Sequence, residues 1–212
     1  HCRCVLVAHI DVDKMAEEFD RREAEIYADD KLGRINKIEP NITKFLKEVS
    51  STENSELFGL EYKIKSKESL VRKIISDSKE KRITLKEATN QINDALRYTI
   101  LNDEDSFTNK YFKIVEKMKE KGYNIIRVKN TFKQDVVYKS INTLVKNNGD
   151  IFELQFHTPK SVEIKEGGLH KLYEIQRSLN KEKDYKKWEA LVNKMIKLSN
   201  TIPIPKNIER IK

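Results

Sequence analysis

Two cysteines, four histidines, four prolines and six glycines are all that this 212-residue chain holds of those types. Both cysteines stand at the start, in "HCRC". No disulfide framework can therefore run through the body of the chain, as fits a reducing compartment. Cys2, Cys4 and His1 are too crowded and too few to close a tetrahedral zinc site. The histidines are His1, His9, His157 and His170, without HExxH spacing, so a zinc hydrolase of that kind is excluded. No GxxxxGKS or GxxxxGKT loop occurs, which excludes a Walker-type ATPase. No apolar run is long enough to span a bilayer, and no signal peptide is visible, so no membrane partner is expected.

What the chain does have is charge. It is 36% charged and 38% hydrophobic, with a net charge of +8 and a pI near 9.2. That balance is polar but globular. Such a surface favours polyanions: nucleotides, nucleic acid or an anionic membrane. The chain begins with His1 rather than Met, which suggests a fragment or a processed product.

Residues 5–10, "VLVAHI", read as a short buried strand, and residues 1–10 as the remnant of an upstream domain. Residues 11–33 read as a charged helix stopped by Gly33. Pro40 opens a second helix, and the two make an N-terminal helical segment over 11–56. "LFGLEYKI" reads as a strand with apolar residues at 58, 60, 62 and 64. "SKESLVRKIISDSKEK" reads as a helix capped by Ser66 that buries Leu70, Ile74 and Ile75. "NDALRYTIL" is a strand, and "DSFTNKYFKIVEKMKEKG" an amphipathic helix ending at Gly122. Three strands follow: "NIIRVKNTF", "VVYKSINTLV" and "DIFELQFHT", the last two joined by an "NNGD" hairpin turn. From Pro159 the tail reads as helical to about Asn200. This order predicts an α/β (α+β) domain: a mixed sheet of about five strands flanked by helices, with helical N- and C-terminal extensions.

Three constellations could carry chemistry. In "EYKIKSKESLVRKI", Lys63 and Lys65 are spaced for one face of a strand, and Ser69 and Lys73 for one face of a helix. Together they would gather cations and a hydroxyl at a helix mouth, suited to a triphosphate. Asp94 and Glu153 are carboxylates on strands, where burial is costly without solvent, a partner or a metal. "IFELQFHT" puts Ile151, Glu153, Gln155 and His157 on one face, which also suits a sheet edge facing water. In "VVYKSINTLV", Tyr138, Ser140 and Asn142 share a face, either as a floor for a nucleobase or as ordinary cross-strand residues. In outline this is a phosphoryl- or pyrophosphoryl-transfer site.

The order Lys63-x-Lys65-Ser66-x-x-Ser69-x-x-x-Lys73, then Asp94, Tyr138-x-Ser140-x-Asn142 and Glu153-x-Gln155-x-His157-Thr158 resembles the synthetase domain of the RelA/SpoT alarmone family. The resemblance runs from about Leu57 to Tyr173. It places a synthetase domain at 57–180, leaving 181–212 as a C-terminal helical tail. It implies a nucleotidyltransferase-like sheet and transfer of the ATP β,γ-pyrophosphate to the 3′-hydroxyl of an acceptor nucleotide. Lys63, Lys65, Ser69 and Lys73 would hold ATP. Asp94 and Glu153 would ligate Mg2+, and Glu153 would activate the acceptor hydroxyl. Tyr138 would stack the acceptor base, Asn142 and Gln155 would line its pocket, and Arg127, Lys129 and Lys133 would meet its phosphates. Arg97 and His170 suit either a polar wall or a structural role.

Four departures, one of them the missing Gly after the Asp in "DALRY", bear on the acceptor and the regulation more than on the reaction. Lys63 stands where the family has Arg, so a bidentate clamp becomes a point charge. Asn142 stands for a His, and His157 for an Arg. The phrases "DALRYTI", "GYNIIRVKNTF" and "FELQFHTPKS" resemble the toxin branch, and "HCRCVLV" the closing end of a phage minor head protein domain. Members of that branch similar to this chain imply adenosine nucleotides as acceptors and (p)ppApp-type products. GDP or GTP, giving (p)ppGpp, and the tRNA 3′ end are the alternatives. The implied site of action is the bacterial cytoplasm, reached from a phage particle or as a secreted effector, with room for an immunity protein as partner. A non-enzymatic reading is a basic nucleic-acid-binding domain of a phage head protein. The net charge and the basic helix around Trp188 and Lys194 motivate it.

Overall fold

The computed structural model describes residues 12–212, which divide into two units. One holds residues up to 37 together with 65–95; the other holds 38–64 and 96–212. The strand expected at 5–10 and the "HCRC" end lie outside the described residues.

Helix α1, Val12–Thr52, contributes to both units. It is a single helix where the sequence suggested two, because it runs through both Gly33 and Pro40. Pro40 removes one backbone donor, and Gly33 has weak helical propensity. Burial compensates. Ala24, Ala28, Ile35, Ile42, Leu46 and Val49 form one buried seam along the helix, at steps of three, four and seven residues.

The first unit adds α2, Lys67–Lys81, and α3, Leu85–Gln91. Ser66 caps α2, its hydroxyl accepting from the Ser69 N–H at 3.3 Å. Leu70, Val71 and Ile74 are buried, whereas Ile75 is only half-buried. Helix α3 starts with a capping box between Thr84 and Glu87. The Lys31 amine ties α1 to α3 by donating to the Thr89 carbonyl at 2.9 Å.

The second unit is built on a five-stranded mixed sheet. Its strands are β1 (Glu56–Phe58), β2 (Arg97–Leu101), β3 (Asn124–Asn130), β4 (Ile141–Asn147) and β5 (Asp150–His157), in the order β1-β2-β5-β4-β3. Only β2 and β5 are parallel; the other pairs are antiparallel. The hairpin turn between β4 and β5 holds Asn148 and Gly149 at positive φ, as "NNGD" predicts. Helix α4, Phe107–Glu120, buries Phe107, Tyr111, Ile114 and Met118 as one stripe. Against the sheet, the Tyr111 ring meets Phe156 edge-on at 4.9 Å. Phe152, Leu154 and Phe156 of β5 are all fully buried.

Three expectations need correction in this unit. The strand at "LFGLEYKI" ends at Phe58, because Gly59 takes the left-handed conformation (φ 65) and Leu60–Tyr62 form a 3-10 turn. Strand β4 begins at Ile141, so Tyr138 and Ser140 lie in the preceding loop rather than on a strand. The tail is several pieces: α5 (Pro159–Ile164), a π-turn (Lys165–Leu169), α6 (His170–Ser178) and, after a break, α7 (Tyr185–Ser199).

Candidate functional site

In the first unit, the chain enters α2 with its cap satisfied and its first turn of N–H groups forward, a favourable place for an anion. Lys65, just before the cap, donates its backbone N–H to the Ala95 carbonyl at 2.9 Å. Its amine lies 3.2 Å from Asp94 Oδ2. Asp94 is in the loop between α3 and β2, not on a strand. Ser69 and Lys73 are one turn apart on α2 and share a face. The Lys73 amine lies 3.6 Å from Asp77, which also holds Lys81 at 3.2 Å.

Lys31 belongs to this neighbourhood too, with no local pattern that marks it. Burial lowers its pKa, with Arg34 adding to the effect and Asp94 opposing it. In the sequence it is one lysine in a charge-rich helix.

Lys63 belongs to the second unit. Its amine lies 3.5 Å from Glu39 Oε1, and its carbonyl accepts from the Arg97 N–H at 2.8 Å. Glu39 also bonds Thr43, whose hydroxyl lies 2.8 Å from that of Tyr98. The shared strand face expected for Lys63 and Lys65 is not formed, since Lys63 has helical backbone angles.

The sheet aligns the residues that the resemblance assigns to an acceptor. Residues paired in register point to the same face. One row runs Arg97, Glu153, Leu144, Arg127, and the next Thr99, Gln155, Asn142, Lys129. Glu153, Gln155, Asn142, Arg127 and Lys129 therefore share one face, with β5 in the sheet's interior. The alternative of an edge facing water for β5 is overturned. Gln155 is buried, Glu153 and Asn142 are half-buried, and Arg127 and Lys129 are exposed. Asn142 accepts from the buried Ser140 hydroxyl at 2.7 Å. Lys133 is exposed in the loop and stands on neither row.

Tyr138 reaches this face from its loop. Its hydroxyl lies 2.7 Å from His157 Nε2 and 3.4 Å from Gln155 Oε1. Its ring is edge-on to the imidazole at 5.4 Å. Burial raises the Tyr138 pKa, so the phenol stays protonated. His157 is wholly buried, and burial, helped by Lys165 and Arg97, pushes its pKa down to about 3. The residue standing in place of an arginine is thus a neutral imidazole.

Lys165, first residue of the π-turn, was also missed. Its pKa is lowered by burial and then by Arg97, while Glu166 and Glu153 raise it. Arg97 and Lys165 thus bring two cations to the neighbourhood of Glu153. The Gly167–Gly168 pair inside a helical pattern was the one visible irregularity.

Among the described residues, no three His, Cys, Asp or Glu side chains are grouped to hold a metal ion. Magnesium does not require such a group, because one or two carboxylates with phosphate oxygens and water suffice. Asp94 and Glu153 each offer a carboxylate of that kind.

The fold is similar to that of a solved GTP pyrophosphokinase family protein. No protein-family model and no curated protein match the chain. Among solved structures, a GTP pyrophosphokinase family protein from Streptococcus pneumoniae covers 84% of this chain and 90% of its own, at 15% identity and TM-score 0.51. The small alarmone synthetase 1 from Bacillus subtilis matches over 82% and 94%, at 15% identity and TM-score 0.49. The Type VI effector Tas1, solved with its immunity protein, matches over 84% and 94%, at 14% identity and TM-score 0.48. At these identities the likeness is one of fold.

Proposed function

We propose that the chain is a nucleotide 3′-pyrophosphokinase. It moves the β,γ-pyrophosphate of ATP onto the 3′-hydroxyl of AMP, ADP or ATP, making (p)ppApp-type products and draining ATP. One observation carries this reading. Glu153 and Gln155 stand on one face of an interior strand beside Asn142, in the fold of a GTP pyrophosphokinase family protein.

In the first unit, Lys65, Ser69 and Lys73 suit the phosphates of ATP; Lys63, held by Glu39, is assigned to ATP by the resemblance alone. The resemblance alone assigns Asp94, in the first unit, and Glu153, in the second, to magnesium, which when bound would neutralise phosphate charge. In the second unit, Glu153 takes the proton from the acceptor 3′-hydroxyl, and that oxygen attacks the β-phosphorus of ATP. The bond from the β-phosphorus to the oxygen bridging the α-phosphorus breaks, and AMP leaves with that oxygen. The Tyr138 ring offers a stacking surface, Asn142 and Gln155 offer hydrogen bonds to the base, and Arg127, Lys129 and Lys133 offer charge to the phosphates.

The adenosine acceptor rests on the likeness of "DALRYTI" and "FELQFHTPKS" to the toxin branch. A synthetase that drains ATP in the bacterial cytoplasm would act as an effector and require an immunity partner in the cell that makes it.

The test is to incubate the protein with ATP, magnesium and, in turn, AMP, ADP, GDP and tRNA, and then separate the products. Pyrophosphate gained by AMP or ADP, with AMP released from ATP, is the expected result. Transfer to GDP or tRNA alone would overturn the acceptor assignment, and transfer to nothing would overturn the enzyme. Glu153→Gln should abolish turnover while leaving the melting temperature within a few degrees. Salt-sensitive binding of duplex DNA without transfer would favour the nucleic-acid-binding reading.

A further inference from the structure

We infer that the segment following α7 is a strap that fixes the Tyr138 loop, with Lys139 and Asn200 as positioning residues for acceptor binding. The inference rests on the acceptor role given to Tyr138 above.

The loop runs from Thr131 to Ser140, between β3 and β4. Its base is closed by three hydrogen bonds. The Thr131 N–H and hydroxyl both donate to the Ser140 carbonyl, at 2.9 and 3.0 Å, and the Ser140 N–H donates to Thr131 Oγ1 at 3.0 Å. Its tip turns at Asp135, which has a left-handed φ of 58°. There Asn200 makes a two-point contact. Its side-chain oxygen accepts from the Asp135 N–H at 3.1 Å, and its amide donates to the Asp135 carboxylate at 3.0 Å.

The third tie is Lys139. Its side chain is almost wholly buried, and its amine donates to the Ile202 carbonyl at 3.1 Å. Burying an ammonium costs several kcal/mol, which the Ile202 carbonyl and the attraction of the Asp135 carboxylate offset only in part. An apolar residue of similar length would serve stability at least as well, so what the lysine adds is a fixed position. The amine anchored on Ile202 leaves the Tyr138 hydroxyl directed to His157.

The strap is itself held down. Ile202, Ile208 and Ile211 are buried. Asn130 donates to the carbonyls of Ile208 and Ile211 at 2.8 and 3.1 Å, and Thr108 donates to that of Lys206 at 2.7 Å. A loop pinned at base, tip and flank presents its aromatic ring without an ordering cost on binding.

Lys139→Met and Asn200→Ala test this in the full chain. Both should fold, Asn200 being exposed. Amide hydrogen exchange across 131–140 should quicken in both. The KM for ADP as acceptor should rise roughly ten- to a hundredfold, the scale of a small misplacement, with the KM for ATP unchanged. In a Tyr138→Ala background, Lys139→Met should add little further. Unchanged exchange in the loop overturns the proposal. So does a loss of activity that falls equally on both substrates and follows a lowered melting temperature. If the wild type transfers pyrophosphate to no acceptor, the proposed function fails and the acceptor role of the strap with it. The exchange data would still show whether the strap fixes the loop.

Discussion

The Tyr138 hydroxyl lies 2.7 Å from His157 Nε2, and the other nitrogen of that ring lies 2.7 Å from Ser161 Oγ. The Ser161 hydroxyl donates to the Thr158 carbonyl at 2.9 Å, so toward the imidazole it presents a lone pair. His157 Nδ1 therefore carries the ring proton, and Nε2 accepts from Tyr138. A chain of neutral groups thus runs from α5 through the sheet to the Tyr138 loop.

That chain predicts a pH effect on stability. The folded-state pKa of His157, about 3, is depressed below the usual 6.5. Below pH 6.5 the unfolded chain takes up a proton that the folded chain refuses. The stability from a neutral His157 is thus complete above pH 6.5 and lost progressively down to about pH 3. At about 1.36 kcal/mol per pH unit, the wild type should lose roughly 2 kcal/mol from this group between pH 6.5 and 5. Urea unfolding of wild type and His157→Gln across that range checks it. The variant should be less stable at pH 7 but lack this loss, whereas parallel curves would mean that His157 does not carry it.

Tyr138 separates its two uses by substitution. Tyr138→Phe keeps the ring but leaves His157 Nε2 without its partner, which should cost about 1–3 kcal/mol in unfolding free energy. Tyr138→Ala also removes the stacking surface, worth ~1–3 kcal/mol per base. The KM for the acceptor should therefore rise little in Tyr138→Phe and by ten- to a hundredfold in Tyr138→Ala. Steady-state kinetics with acceptor varied at saturating ATP decides it.

The parts of this arrangement that were legible in the sequence are those where local pattern and burial agree. Helix α2 shows a cap at Ser66 and a stripe through Leu70 and Ile74, and β5 alternates Phe152, Leu154 and Phe156 against Glu153, Gln155 and His157. Tyr138 was misplaced because "VVYKSINTLV" is strand-like throughout, while ties to Asn200 and Ile202 hold its first half out of the ladder. Local propensity yields to tertiary contacts of that kind. Helix α3 was missed because it lacks a long apolar stripe, although Thr84 and Glu87 carry the capping-box signature in "TLKE". Lys31 and Lys165 could not be singled out, because what distinguishes them is burial beside charges remote in sequence.

Arg127 and Lys129 stand exposed at the ends of the two rows, so they can meet an acceptor's phosphates without any cost of burial. Arg127→Ala and Lys129→Ala should leave the melting temperature unchanged and raise the KM for ADP more than that for AMP. Added salt should narrow the difference, since exposed charges are screened. Equal effects on both acceptors would move the phosphate contacts elsewhere.

The 3.2 Å pair of Lys65 and Asp94 is part-buried, with 20% and 31% of the two side chains exposed. A pair so placed contributes on the order of 1 kcal/mol or less to stability. Under the proposed function each partner has a second role. Lys65 would leave Asp94 for a phosphate, freeing the carboxylate for magnesium. Two outcomes follow. Asp94→Asn should unfold within about 1 kcal/mol of wild type yet lose transfer. Lys65→Met should bind magnesium more tightly than wild type in the absence of nucleotide, because no ammonium then competes for Asp94, while its affinity for ATP falls. Calorimetric titration of magnesium into the nucleotide-free proteins measures the first change, and titration of ATP the second. If Lys65→Met binds magnesium no better than wild type, the pair is a fixed structural contact and Asp94 is not the carboxylate that the metal takes.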